Sequence, residues 1–99
     1  MHLITISNLR QDAAPYTDVQ KQLKDWHDIV KIAEWHNLID VQFIYRDAEA
    51  VSNFTVFNIK GNKYRLIVSI DYEEQVVYYK YFLTHAEYDK EQWKNDPHY

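Results

Sequence analysis

The only glycine in the chain, Gly61, lies between two runs that read as β-structure, and this placement constrains the fold more than any other feature. Phe54 to Ile59 is aromatic and β-branched, a composition that suits a pleated, half-buried surface. Tyr64 to Ile70 alternates, with Tyr64, Leu66, Val68 and Ile70 on one face and Arg65, Ile67 and Ser69 on the other. Lys60-Gly61-Asn62-Lys63 between them is a hairpin turn, because glycine beside asparagine takes positive φ at the lowest cost. The polar stretch Asp71 to Gln75 is a second turn, and tyrosine-dense Val76 to Leu83 a third strand.

Thr84-His85-Ala86-Glu87 follows with the form of a capping box: the threonine oxygen accepts the Glu87 amide while the glutamate reaches back to the Thr84 amide. A helix therefore starts where the third strand ends. His85, Tyr88 and Asp89 fall on one side of it, at i, i+3 and i+4. With Arg65 on the open face of the neighbouring sheet, an arginine, a histidine, a tyrosine and carboxylates share one neighbourhood.

Ahead of the meander, Leu3 to Ile6 is a short β-type run suited to a sheet edge, and Ser7 is an N-cap for a helix over 8–14 that Pro15 ends. Thr17-Asp18-Val19-Gln20 repeats the capping-box pattern and opens a longer helix. Its apolar positions Val19, Leu23, Trp26, Val30 and Ala33 step by four, three, four and three, one stripe facing a core, with Lys21, Lys24, Asp25, Asp28 and Lys31 toward solvent. The two helices form an αα-hairpin that packs on the sheet. Leu38 to Tyr45 alternates weakly, as a strand could; Asp47 to Ala50 reads as a turn or one helical turn, and residues 94–99 as a loose tail.

At 99 residues the chain has room for a single domain over 1–99 with one core, and its 46% hydrophobic and 16% aromatic content is ample for that core. It has no cysteine, hence no disulfide framework, thiolate zinc site or cysteine nucleophile, which suits the cytoplasm. No apolar run approaches membrane-spanning length, and no signal sequence is visible. Phosphate-cradling glycine loops, nucleophile elbows and zinc-finger patterns are absent, and His85 with Asp89 lacks a third ligand, so neither a metal nor a cofactor is expected. The net charge of −4 opposes general affinity for nucleic acid. Acids outnumber bases from Gln11 to Glu49, but the two are near balance from Phe54 to Trp93, where Lys60, Lys63, Lys80 and Lys90 are the candidate RNA-binding residues around Arg65.

Val56-Phe57-Asn58-Ile59, Gly61-Asn62-Lys63-Tyr64-Arg65-Leu66 and Thr84-His85-Ala86-Glu87-Tyr88-Asp89-Lys90 resemble the HigB-type toxins of bacterial toxin–antitoxin pairs, within the RelE-like group of mRNA-cleaving toxins. Met1 to Ile4 and the region from Trp26 to Asp40 also resemble the opening half of that family. The resemblance implies an α+β fold, with an N-terminal helical hairpin on a small, mainly antiparallel sheet and a short C-terminal helix. For Leu38 to Tyr45 it implies a short helical or irregular segment instead of a strand. It further implies a metal-independent endoribonuclease acting on mRNA in the ribosomal A site. The partner it implies is a HigA-type helix-turn-helix antitoxin, through which alone the toxin would reach DNA.

In that chemistry the ribose 2′-hydroxyl attacks the adjacent phosphate, which requires a base, an acid and a cation for the phosphorane charge. Arg65 is the candidate cation, since a guanidinium grips two phosphate oxygens and stays charged. His85 is the candidate acid or base, Tyr88 a proton donor or stacking group, and Glu87 a secondary base, although its capping role accounts for it fully. The alternative is a catalytically weak or inactive relative that binds an antitoxin and serves regulation.

Overall fold

The computed structural model describes residues 1–99 as a five-stranded sheet with helices on one side and the C-terminal segment on the other. The elements in chain order are β1 (His2–Ile4), α1 (Ile6–Ala13), α2 (Gln20–Ile32), α3 (Leu38–Ile44), β2 (Glu49–Val51), β3 (Phe54–Ile59), β4 (Tyr64–Asp71), β5 (Val76–Thr84) and α4 (His85–Asp89). The sheet order is β1-β5-β4-β3-β2; β1 lies parallel to β5, and every other pairing is antiparallel. The expected mixed α+β class and mainly antiparallel sheet are thus observed.

The meander forms where local chemistry dictates it. Ile59 pairs with Tyr64 across the four-residue turn, in which Gly61 has φ 64°. Lys60, not Asn62, is the second residue at positive φ there (56°); its amide donates to the Gln22 side-chain oxygen at 2.8 Å, which ties the turn to α2. The α2 stripe is as the spacing requires: Val19, Leu23, Trp26 and Val30 are buried, while Lys21–Asp25 and Lys24–Asp28 pair on the solvent side. These residues join Leu9 and Ala13 of α1 and Phe57, Ile59, Leu66, Val68 and Val77 of the sheet in the larger core. Fully burying each such side chain contributes roughly 1.5–3 kcal/mol.

Several local expectations are overturned by longer-range partners. The first strand stops at Ile4, and α1 begins at Ile6 behind Thr5 at φ 60°, with no side-chain cap; Ser7 lies inside the helix. The Thr17–Gln20 box does not form, because the Gln20 amide group donates instead to the carbonyls of Ala13 and Tyr16, leaving Thr17–Val19 as a 3-10 turn. α2 ends at Ile32 with Ala33 already extended, and the amine of Met1 donates to the carbonyls of Val30, Lys31 and Ala33. Leu38–Ile44 is a helix, opened by the Asn37 side chain accepting the Asp40 amide. Glu49–Val51 is an edge strand on β3, not a turn.

Residues 94–99 are no loose tail. The 3-10 turn Gln92–Asn95 seats Trp93, and Tyr99 packs edge-on against both Trp93 and Phe54, at 5.5 and 5.9 Å between ring centres. With Val56 and Ile67 these rings form a second, smaller core on the sheet face opposite the helices.

Candidate functional site

The site lies on this second face, where β4 leaves the Gly61 turn. Arg65 pairs with Asn58 on one side and Leu83 on the other, so its side chain leaves the sheet away from the helices, as alternation requires. It is not on an open face: Tyr88 of α4 lies against it, and Arg65 is 9% exposed. Its Nη1 donates to the carbonyls of Asn62 (2.9 Å) and Tyr64 (3.2 Å), and its Nη2 to the Asn62 side-chain oxygen (3.1 Å). The guanidinium lies 5.2 Å from the centre of the Tyr88 ring. No carboxylate pairs with it. A nearly buried cation held only by carbonyl dipoles and a π face retains unspent charge for an anion.

Tyr88 is the hub of the arrangement. It stacks on Trp93 at 5.0 Å and 15°, and its carbonyl accepts the Trp93 indole N–H at 2.9 Å. Burial, then the nearby Glu49 carboxylate, push the Tyr88 hydroxyl above its ordinary pKa, while Arg65 and Lys94 pull it down. The hydroxyl therefore stays protonated at neutral pH and serves as a proton or hydrogen-bond donor. Lys94 lies over Trp93 at 5.5 Å, which extends the sequence of cation on ring along this face.

The other site residues named from sequence are dispersed around this centre. His85 begins α4, its amide donating to the Lys63 carbonyl at 3.0 Å, while its ring turns to Asp89 at 2.8 Å. No third histidine or carboxylate joins that pair in a metal-holding arrangement. Glu87 completes the capping box, with Oε1 accepting the Thr84 amide at 3.0 Å and the Glu87 amide donating to the Thr84 hydroxyl at 3.2 Å. It lines a cavity of about 250 Å³ with Lys90, Tyr81, Leu83, Gln92 and Trp93.

The lysines do not form one patch. Lys63 turns to the helical side and pairs with Asp18 at 2.9 Å, a contact that raises the lysine and lowers the aspartate from their ordinary pKa values. Lys60 is exposed on the turn, and Lys80 lies half-buried over Phe54, 3.3 Å from Asp96. The sequence reading brings Arg65 and Tyr88 together correctly in space. It does not anticipate Asn62 as the arginine's clasp, Glu49 beside Tyr88, or Trp93 stacked beneath the tyrosine. Only the indole at the end of a capped helix offered a signal, and that signal was indistinguishable from ordinary core.

Comparison with protein families finds a match over residues 19–91 to the HigB_toxin model, described as the RelE-like toxic component of a toxin-antitoxin system. A search of curated proteins finds no match. The matched span takes in the whole meander, the Arg65–Tyr88 pair and the α4 capping box, and leaves out β1, α1 and residues 92–99. A model that covers most of the chain, laid over a mixed α+β sheet with the expected elements, makes the protein a member of the HigB family, the RelE-like toxic components of toxin–antitoxin systems.

Proposed function

We propose that the protein is a ribosome-dependent, metal-independent mRNA endonuclease, neutralised by a HigA-type helix-turn-helix antitoxin. The observation that carries this reading is Arg65: a guanidinium nearly removed from water, without a carboxylate partner, beside a protonated tyrosine. Buried cations are ordinarily paired with carboxylates, and leaving one unpaired is costly unless an anion arrives. A phosphodiester entering over Arg65 supplies that anion.

In the reaction the 2′-oxygen forms a bond to phosphorus, and its proton passes to a base. The bond from phosphorus to the 5′-oxygen breaks, and that oxygen takes a proton from an acid, leaving a 2′,3′-cyclic phosphate and a 5′-hydroxyl. Arg65 stabilises the charge on the phosphorane oxygens, and the Tyr88 hydroxyl donates toward the phosphate or the leaving oxygen. His85 is the group on α4 suited to taking a proton near neutral pH, with Asp89 orienting its ring. The free oxygen of Glu87 is the secondary base. Positioning by the ribosome offsets the weak general affinity for RNA expected at a net charge of −4. The protein then acts in the cytoplasm and reaches DNA only through the antitoxin.

The same negative charge favours a second reading, a weakly active relative kept for antitoxin binding and operon control. Inducible expression of wild type and Arg65→Ala, with the 5′ ends of cellular mRNA mapped, separates the two. New in-frame ends with wild type alone support the nuclease. Unchanged mRNA and growth with soluble, folded wild-type protein favour the regulatory partner.

A further inference from the structure

We infer that the C-terminal segment and the β5 bulge together build a second subsite on this face, one that takes a phosphodiester of single-stranded RNA. The inference rests on the reading of mRNA as substrate, and it joins Lys80 to Asp96 and His98, which lie outside both the site described above and the matched residues 19–91.

It starts from an irregularity in the sheet. Ile67 pairs with Tyr81 and Val68 with Tyr79, so Lys80 is the extra residue of a bulge in β5. A bulge breaks alternation and lets neighbouring side chains serve one side. Tyr79 goes to the helical face, its hydroxyl donating to Asp12 at 2.6 Å, while Lys80 and Tyr81 both reach Asp96 beyond the opposite face. The Tyr81 hydroxyl donates to Asp96 Oδ2 at 2.7 Å, Lys80 Nζ lies 3.3 Å from the same oxygen, and the His98 amide donates to Oδ1 at 2.8 Å. His98 Nδ1 stands 3.3 Å from Asp96 Oδ1 and 3.3 Å from Lys80 Nζ.

The order of exposure gives this cluster its chemistry. The Asp96 side chain is 9% exposed, whereas the His98 side chain is 77% exposed. From solvent, a ligand meets the imidazole and the ammonium first, with the carboxylate behind them as their anchor. Beside them is a cavity of about 360 Å³ lined by Thr5, Ser69, Tyr78, Tyr79, Lys80 and His98, within the size range of small-ligand sites. Asp96 and Lys80 both lie at Nδ1, which leaves His98 Nε2 as the ring nitrogen free to donate to a phosphate. Lys80 adds a cation, Ser69 a hydroxyl, and Tyr78, 40% exposed, a surface on which a base can stack.

This is a different phosphate from the one offered to Arg65. Arg65 lies two residues along β4 from Ile67, roughly 7 Å, and the bulge is one strand further across, roughly 5 Å. The Arg65 guanidinium also points back toward Asn62, away from the bulge. The two subsites thus hold separate points of one strand laid across the face.

The test uses a fluorescent single-stranded 2′-O-methyl oligoribonucleotide, which lacks the nucleophile and is not cut. Its binding is followed by anisotropy across a salt series for wild type, His98→Gln, Lys80→Met and Arg65→Ala, with Lys24→Gln on the opposite face as control. His98→Gln and Lys80→Met are each expected to raise Kd about three- to tenfold, and loss of the Lys80 cation to flatten the salt slope by about 0.7. His98→Gln combined with Arg65→Ala should multiply the single effects, as separate subsites require. Because His98 is so exposed, its variant stays informative even if Lys80→Met fails to fold. Wild-type affinity in folded His98→Gln overturns the subsite, and so does a wild type that does not bind the probe. Mapping of mRNA ends judges the nuclease separately: cleavage without a His98 effect on binding removes only the subsite, whereas binding that depends on His98 without cleavage removes only the nuclease.

Discussion

The two faces of the sheet bury side chains in different ways. On the helical face aromatic and aliphatic groups meet one another, as in Trp26 against Phe57 at 5.7 Å and Tyr64 stacked on Phe82 at 5.4 Å, and the polar atoms at its margin are paired, Tyr79 with Asp12 and Tyr64 with Asp18. On the opposite face three cations rest on rings, Arg65 on Tyr88, Lys80 on Phe54 and Lys94 on Trp93, against one at the helical margin, Lys63 over Tyr64. The first arrangement maximises the removal of apolar surface from water. The second holds charge in place at the cost of some hydration, which contributes little to stability and, on the proposed reading, serves the recognition of an anion. The small domain thus keeps its larger core on one side of its sheet and its one buried cation without a carboxylate partner, Arg65, on the other.

The comparison breaks first, if it breaks, at Trp26. Trp26→Ala should cost about 3–5 kcal/mol in denaturant unfolding, since the ring is 1% exposed and sits between α2 and β3. Its indole N–H has no partner, so Trp26→Phe should recover most of that loss. A Trp26→Ala protein as stable as wild type would mean that the helical face is not where the stability resides.

On both faces, what local chemistry sets is the more legible in sequence. The α2 stripe, the Gly61 turn and the Thr84 capping box are each set by residues within a few positions of one another, and each is present. What fails depends on distant partners. Gln20 is drawn off its box by carbonyls of the preceding loop, and Glu49–Val51 is a strand only because β3 lies alongside. Leu38–Ile44 has too little periodicity to declare itself: Ile39 and Phe43 stay exposed, and only Val41 is fully buried. The site divides along the same line. Arg65 and Tyr88 are recognisable by type, but the clasp from Asn62 and the return of the C-terminal segment over Phe54 are tertiary events.

Arg65→Met sharpens the contrast. Replacing a buried cation that has no carboxylate partner with an apolar side chain of similar length should leave stability within about 1 kcal/mol of wild type, or raise it. Cleavage of mRNA on programmed ribosomes should fall about 10²- to 10³-fold, the effect of removing one preorganised donor to a developing oxyanion. Loss of stability together with activity would reassign Arg65 as the clasp of the Gly61 turn. Tyr88→Phe is a smaller step, because the ring remains stacked between Trp93 and the guanidinium. Stability should hardly change, and the cleavage rate should drop about tenfold through loss of a donated proton or hydrogen bond. An unaltered rate in Tyr88→Phe would confine Tyr88 to stacking.

The smallest effect concerns acid. Hydrogen bonds from the His98 amide, Tyr81 and Lys80 hold the Asp96 carboxyl down at about 2 against the opposing effect of burial. A carboxylate whose pKa is lower folded than unfolded stabilises the fold above the unfolded value, about 3.9, and loses that contribution as pH falls through the folded one. Wild type should therefore exceed Asp96→Asn in urea midpoint by a constant margin above about pH 5, and the margin should close between about pH 4 and pH 2. After solvent screening it should be worth about 1 kcal/mol or less. Asp18 and Asp28 on the helical side are also held below their ordinary pKa and titrate in the same acid range. Their contribution is common to both proteins and cancels in the difference, which isolates the C-terminal segment. A margin that persists unchanged to pH 2 would mean that Asp96 fastens the segment through the shape of its side chain and not through its charge, so the imidazole and ammonium around it would not be held by a fixed anion.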